Sequence, residues 1–185
     1  IKSLHNKFNE LFKQCDLFIA NIDFIKSAAK TSSLYGYVRP LLVDKPDSYV
    51  YASKIRHPII ERIIDYEYVP HDIELGNDLK GMLLFGINSS GKSSCMKAIG
   101  LNVVMAQAGL YVPAEKFVLS PYHTLFTRIT GDDNIFRGLS SFTMEMVEIN
   151  AIMKRSDKNT LVIGDEVCRG TEHISGNAIV ATTIL

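Results

Sequence analysis

Apolar positions run at helical spacing from the start of the chain. Leu4, Phe8, Leu11, Cys15, Phe18, Ile22, Ile25 and Ala29 alternate steps of four and three, which keeps one apolar stripe on one face. That spacing predicts a long helix over 1–30, closed by the small polar residues Thr31, Ser32 and Ser33. Its stripe is expected to pack on the rest of its own protein. Phe12 and Ile19 widen it beyond the narrow seam of a coiled coil.

From 34 to 85 the helical period is lost. Short β-branched and aromatic runs, Tyr37–Val43, Ser48–Ile55 and Glu67–Val69, are parted by Pro40, Pro46, Pro58, Pro70 and Gly76. They predict a small, mainly antiparallel β region. Met82–Phe85 is a continuous apolar run, expected as a strand buried on both faces. Beyond it the texture becomes α/β. A Gly-rich loop leads to a helix over about 92–108, ended by Gly109 and Pro113; Tyr122–Ile129 is a candidate strand. A helix over 141–156 carries Phe142, Met146, Ile149 and Met153 on one face, Leu161–Gly164 reads as a buried strand, and 174–185 begins a third helix.

Composition narrows the choices. The 185 residues suit one domain with an appendage; 46% are hydrophobic and 22% charged, a globular profile. Lys+Arg and Asp+Glu are 20 each, so charge gives no reason to expect strong sequence-blind DNA binding. No apolar run reaches the length of a membrane span, so no membrane is expected as a partner. No secretory pattern opens the chain, whose first residues include Lys2, His5, Lys7, Glu10, Lys13 and Asp16. Cys15, Cys95 and Cys168 form no metal spacing, which points to free thiols in an intracellular, reducing compartment. The five histidines, His5, His57, His71, His123 and His173, show no ligand spacing either. The sequence begins at Ile1 and stops at Leu185 inside a helical pattern, and is expected to be a fragment.

The strongest chemical signal is Gly86-Ile87-Asn88-Ser89-Ser90-Gly91-Lys92-Ser93, which fits G-x-x-x-x-G-K-[ST] at every fixed position. Glycines let the backbone turn so that N–H groups form an anion nest, and the following helix adds its positive end. Lys92 places an ammonium near the β- and γ-phosphates, and Ser93 offers a hydroxyl to Mg²⁺. Leu161–Gly164 then ends in Asp165 and Glu166. In phosphate-loop proteins such a strand delivers Asp165 to the ion and Glu166 to the attacking water. A solvated acidic turn is the competing reading.

Several ordered stretches resemble one family. Arg56-His57-Pro58, the loop with Asn88 at its third position, Ala114–Lys116, Leu125–Ile129, Gly131–Asp133, Gly138–Met146 and Asp165–Thr171 look like the ATPase domain of MutS proteins, the mismatch-repair ATPases, over about 35–185. The resemblance implies an α/β phosphate-loop NTPase of ABC type, with a mixed sheet and an antiparallel β subdomain, preceded by a long helix. It implies that 1–33 is the end of a helical lever and 34–185 the ATPase domain, truncated at its C-terminal end. It implies ATP or ADP and Mg²⁺, held by Gly86, Asn88, Ser89, Ser90, Gly91, Lys92, Ser93 and Ser94, with Ser93 and Asp165 at the metal. Tyr68 would stack on adenine, or be a core tyrosine of the β region. Glu166 and Lys92 would be catalytic, and Ser140 would reach across to the γ-phosphate of a second MutS-like subunit. Ser140–Ser141 also reads as a plain helix cap. Arg169-Gly170-Thr171 would lie at that dimer interface. Mismatched DNA would be met by domains preceding residue 1. Arg56 and His57 also read as fold-supporting.

Ser89-Ser90-Gly91 stands where the family commonly has Met-Gly-Gly, Ser94 replaces a threonine, and Cys168 a glycine. At Ser90 a Cβ would strain a positive φ. These departures suggest a divergent branch, viral or organellar. Two other functions stay open: another ABC-type DNA-maintenance ATPase, and a nucleotide-gated dimerisation module with little turnover.

Overall fold

The computed structural model describes residues 2–87, 89–128 and 141–165, and side chains from Phe8 onward except those of Ser141 and Phe142. Helix α1 spans Lys2–Tyr35. It does not stop at Thr31–Ser33. Ser32 turns its hydroxyl back onto the Ala28 carbonyl (2.7 Å), which satisfies the polar group within the helix. The stop comes at Gly36, whose φ of +62° is left-handed, and the Tyr37 N–H closes the end on the Ser32 carbonyl at 2.9 Å. The apolar stripe is not packed against the described body. Phe18 and Ile25 remain 66% and 64% exposed, and Leu17 and Phe24 add apolar surface on the other side.

The β region is a four-stranded sheet in the order β1-β4-β2-β3, from Leu41–Leu42, Lys116–Ser120, Tyr49–Ile55 and His71–Leu75. β2 pairs antiparallel with β3 and β4, and β1 parallel with β4. Two expectations need correction here. Glu67–Val69 is not a strand; the pairing begins after Pro70, at His71. β4 lies beyond the expected 34–85 region and runs inside the sheet between β1 and β2, its Phe117 and Leu119 alternating inward. β2 contains a bulge at Lys54, where φ is +52° and the register shifts. The Lys54 N–H donates to Asp72 Oδ1 (2.8 Å), and the bulge changes the inward set from Val50 and Ala52 to Ile55. Val50 and Ile55 each contribute about 1.5–3 kcal/mol by burial. Next comes the one-turn helix α2, Ile60–Ile63.

Helix α3, Lys92–Gln107, lies against β2 of this sheet and β6 of a second one. The second sheet pairs β5, Thr124–Arg128, parallel with β6, Thr160–Gly164, so the sheets together are mixed as expected. α4 spans Ser141–Arg155 between them. β6 buries one face only: Leu161 and Ile163 point in while Val162 is 47% exposed.

Met82–Phe85 forms no strand. Met82 and Leu84 line one wall of a cleft of about 400 Å³, and Leu161 to Gly164 of β6 line another. Across that gap no ladder forms, and an apolar run without a backbone partner has nothing to make it a strand. Phe85 is accordingly 92% exposed. The expected helix over 174–185 lies outside the described residues. Among the described residues, no helix is long and apolar enough to cross a membrane.

Candidate functional site

Gly86 to Ser93 makes a loop running into α3. Gly91 caps the helix at φ +93°, a left-handed conformation suited to glycine, and makes no side-chain capping bond. The first helical hydrogen bond is Cys95 N–H to the Gly91 carbonyl at 2.9 Å. Among the described residues no side chain caps the first turn, which leaves its N–H groups without a side-chain acceptor. Lys92 Nζ donates to the Gly86 and Ile87 carbonyls, both at 2.8 Å. The ammonium is thus folded over the loop. Among the described residues of this loop, the positive φ at a non-glycine residue falls on Ser89 (+66°), not on Ser90. Ser90 instead turns in, its N–H donating to the Ile87 carbonyl at 3.3 Å. Ser93 and Ser94 are half-buried in the first turn.

Asp165 follows β6 and is buried. Its N–H extends the β5–β6 pairing by donating to the Arg128 carbonyl at 2.7 Å. The Arg128 side chain turns to α4, with Nε 2.8 Å from Glu148 and Nη2 3.9 Å from the buried Glu145. What ties β6 to the loop helix is the packing of α3 on β6. Gly100 lets them approach so closely that a Cβ there would lie 2.7 Å from Ile163 Cδ1. Asn88, Ser140 and Glu166 lie outside the described residues, as does Arg169–Thr171.

Tyr68 is half-buried beside the His57 backbone, Glu61 and Cys95 of α3. Burial raises its phenol pKa, and the His57 backbone pulls it back down. Its surroundings therefore include the first turns of α3. His57 is buried, and its Nδ1 accepts the N–H groups of Ile59 and Ile60, each at 3.2 Å. That acceptor role requires a neutral ring. Burial, the larger cause, also lowers its pKa. His57 therefore supports the fold at the start of α2. Arg56 does so too: its Nη2 donates to the Tyr35 carbonyl at 3.2 Å, and Nε stands 2.6 Å from Glu61. Sequence reasoning missed Asn102. It is fully buried, and its Nδ2 donates to the carbonyls of Arg56 (3.0 Å) and Ala98 (2.8 Å). The signal was present, since Asn102 interrupts the inward positions Ile99, Val103 and Ala106.

A glycine-capped helix start, a lysine folded over the loop and a strand-end aspartate define a phosphate-binding-loop domain. Residues 82–185 match the family described as MutS domain V. The DNA mismatch repair protein mutS homolog of Acanthamoeba polyphaga mimivirus is 41% identical over the whole of this chain and 20% of its own length. The mitochondrial DNA mismatch repair protein mutS homolog of Sarcophyton glaucum is 40% identical, again over the whole chain and 19% of its length. The DNA mismatch repair protein MutS of Petrotoga mobilis is 41% identical over 87% of this chain and 20% of its own. The chain belongs to the MutS family, and 82–185 matches its phosphate-loop ATPase domain. It spans about a fifth of the length of these curated relatives.

Proposed function

We propose that this chain binds and hydrolyses Mg²⁺-ATP as the ATPase part of a MutS-like mismatch-repair protein. The observation that carries the reading is Lys92, whose ammonium is held at 2.8 Å from two carbonyls of a loop that opens α3 through a left-handed glycine. The donor set suits a polyphosphate: an ammonium, a helix start with no side-chain cap, and the hydroxyls of Ser93 and Ser94. Ser93 and Asp165 are the hard oxygen ligands that would hold Mg²⁺, which supplies charge neutralisation at the phosphates when bound. Lys92 would trade its loop carbonyls for phosphate oxygens. Glu166 would accept a proton from water and aim it. Tyr68 would give the base an aromatic face. The catalytic work is positioning and charge neutralisation.

Following the family's ABC-type geometry, Ser140 of one subunit would complete the site of another, so closure of a dimeric sandwich would accompany binding. Mismatched DNA would be contacted by parts of the protein outside this chain. The relatives are named as mismatch repair proteins, which supports that setting. The test is Lys92→Ala. Loss of a charge-assisted contact of about 1.5–3 kcal/mol lowers ATP affinity by one to two orders of magnitude. Unchanged affinity, with unchanged thermal unfolding, overturns the assignment. Steady-state hydrolysis against protein concentration, with Glu166→Gln as background, then tests the shared site: specific activity should rise with concentration.

A further inference from the structure

α1 stands away from the body and is held at its last turn. Its large apolar side chains stay exposed as far as Leu34, at 66%. At Tyr35 the situation changes. Arg62 donates to the Tyr35 hydroxyl at 2.9 Å and lies over its ring at 4.0 Å. Arg56 donates to the Tyr35 carbonyl at 3.2 Å, on the final turn of the helix. Two residues on, the buried Tyr37 donates its hydroxyl to the Pro58 carbonyl at 3.3 Å.

Arg56 is gripped from the other side by α3. Asn102 donates to its carbonyl at 3.0 Å from a fully buried position. The Asn102 Oδ1 is buried with no hydrogen-bond partner among the described residues. An apolar residue would fill this position without that desolvation penalty. The amide thus gives up stability for a link, and the link is continuous: the nucleotide-loop helix, Asn102, the Arg56 backbone, the Arg56 guanidinium, and the end of α1.

We propose that Asn102 is a positioning residue that sets the direction of α1 from the position of α3, through Arg56 and Tyr35. The proposal rests on the nucleotide-binding reading above. The lever arithmetic is favourable. Cys15 lies about 30 Å from Tyr35 at the helical rise of ~1.5 Å per residue, so a pivot of ~10° at the joint moves it by ~5 Å.

The experiment uses spin labels on the native, exposed Cys15 and on a cysteine introduced by Glu115→Cys beside β4, with Cys168→Ser. The label-to-label distance is measured alone, with MgADP and with Mg²⁺ and the β,γ-imido analogue of ATP. Affinity is read in parallel with a fluorescent ADP. The chain with native Asn102 should bind nucleotide and shift its distance distribution by several ångströms, about the lever estimate. Asn102→Leu should bind within about threefold of that affinity and lose the shift. Arg56→Met paired with Glu61→Gln cuts the same chain elsewhere, leaves no stranded carboxylate, and should lose the shift too. A shift that survives both breaks, or nucleotide binding with no shift in the native-Asn102 chain, overturns the proposal. Absence of nucleotide binding in that chain overturns the functional reading first, and this one with it.

Discussion

The packing of α3 on β6 can be tested by a double-mutant cycle. A Cβ on Gly100 would stand 2.7 Å from Ile163 Cδ1, and ordinary contact begins at 3.4 Å, so alanine is at least 0.7 Å short of room. The obstructing atom ends a flexible side chain. Ile163 can yield by leaving its rotamer, at about 0.5–1.5 kcal/mol. Alanine returns about 0.5–1 kcal/mol through the helix backbone. Gly100→Ala alone therefore lands within about 1 kcal/mol of the parent. Ile163→Val alone removes the obstructing methyl from a buried side chain and costs about 0.5–1.5 kcal/mol. Together, the vacated methyl volume receives the new Cβ, and neither penalty is suffered in full. The double variant should exceed the sum of the singles by ~1 kcal/mol. Urea unfolding of the four proteins, with equal m-values, measures this. Additivity within about 0.3 kcal/mol would refute the seam.

Two further outcomes follow from the loop and from His57. Ser89 holds a left-handed φ of +66°, which costs a residue with a Cβ about 1–2 kcal/mol, so Ser89→Gly should be neutral to stabilising in urea unfolding despite glycine's extra freedom in the unfolded chain. Ser90 is under no such strain, and Ser90→Gly should lose ~0.5–1 kcal/mol; the reverse order would move the strain to where the sequence first suggested it. Burial lowers the folded pKa of His57 below its ordinary value, so the unfolded chain takes the proton first as pH falls. The stability given by the neutral ring is complete above about pH 6.5 and is lost as pH drops through the lowered value. His57→Asn keeps an oxygen acceptor for the Ile59 and Ile60 N–H groups without the titration, and should flatten the melting temperature between about pH 7 and pH 5 relative to the parent. An equally steep slope in the variant would contradict that assignment.

The elements that were legible are those where periodicity and punctuation agree. α4 carries a helical period, and α3 is bounded by the Gly-rich loop before it and by Gly109, at φ +78°, after it, where expected. β6 was legible for the same reason: a short apolar run followed by acids. Elsewhere the local signal was real but its partner was not encoded nearby. β3 has one buried residue, Ile73, among His71, Asp72 and Glu74, so its composition resembles a loop and only the ladder to β2 makes it a strand. Met82–Phe85 fails in the opposite sense, because apolar composition signals a wish for burial but supplies no strand to pair with. The loop chemistry at Gly86–Ser93 was readable because it depends on local backbone and one lysine. The roles of Arg128 and Asn102 were not, because each depends on a carboxylate or carbonyl that folding brings in from another element.

α3 also explains why a change at the loop would not stay local. Gly100 and Asn102 are two residues apart, so they point about 200° apart around the helix axis. One meets β6 in the second sheet, and the other grips Arg56 just after β2 in the first. Between them, Cys95, Ala98, Ile99, Val103 and Ala106 are also buried, while Lys97, Leu101, Val104 and Gln107 form the solvent-facing stripe. A shift of α3 across its packed faces displaces β6 with Asp165, or Arg56 with the base of α1, or both, because close-packed interiors transmit displacement. Asp165 is the proposed metal ligand and α1 the long exposed arm. The two contacts of one helix, Gly100 on β6 and Asn102 on Arg56, therefore join the arm to the proposed nucleotide site.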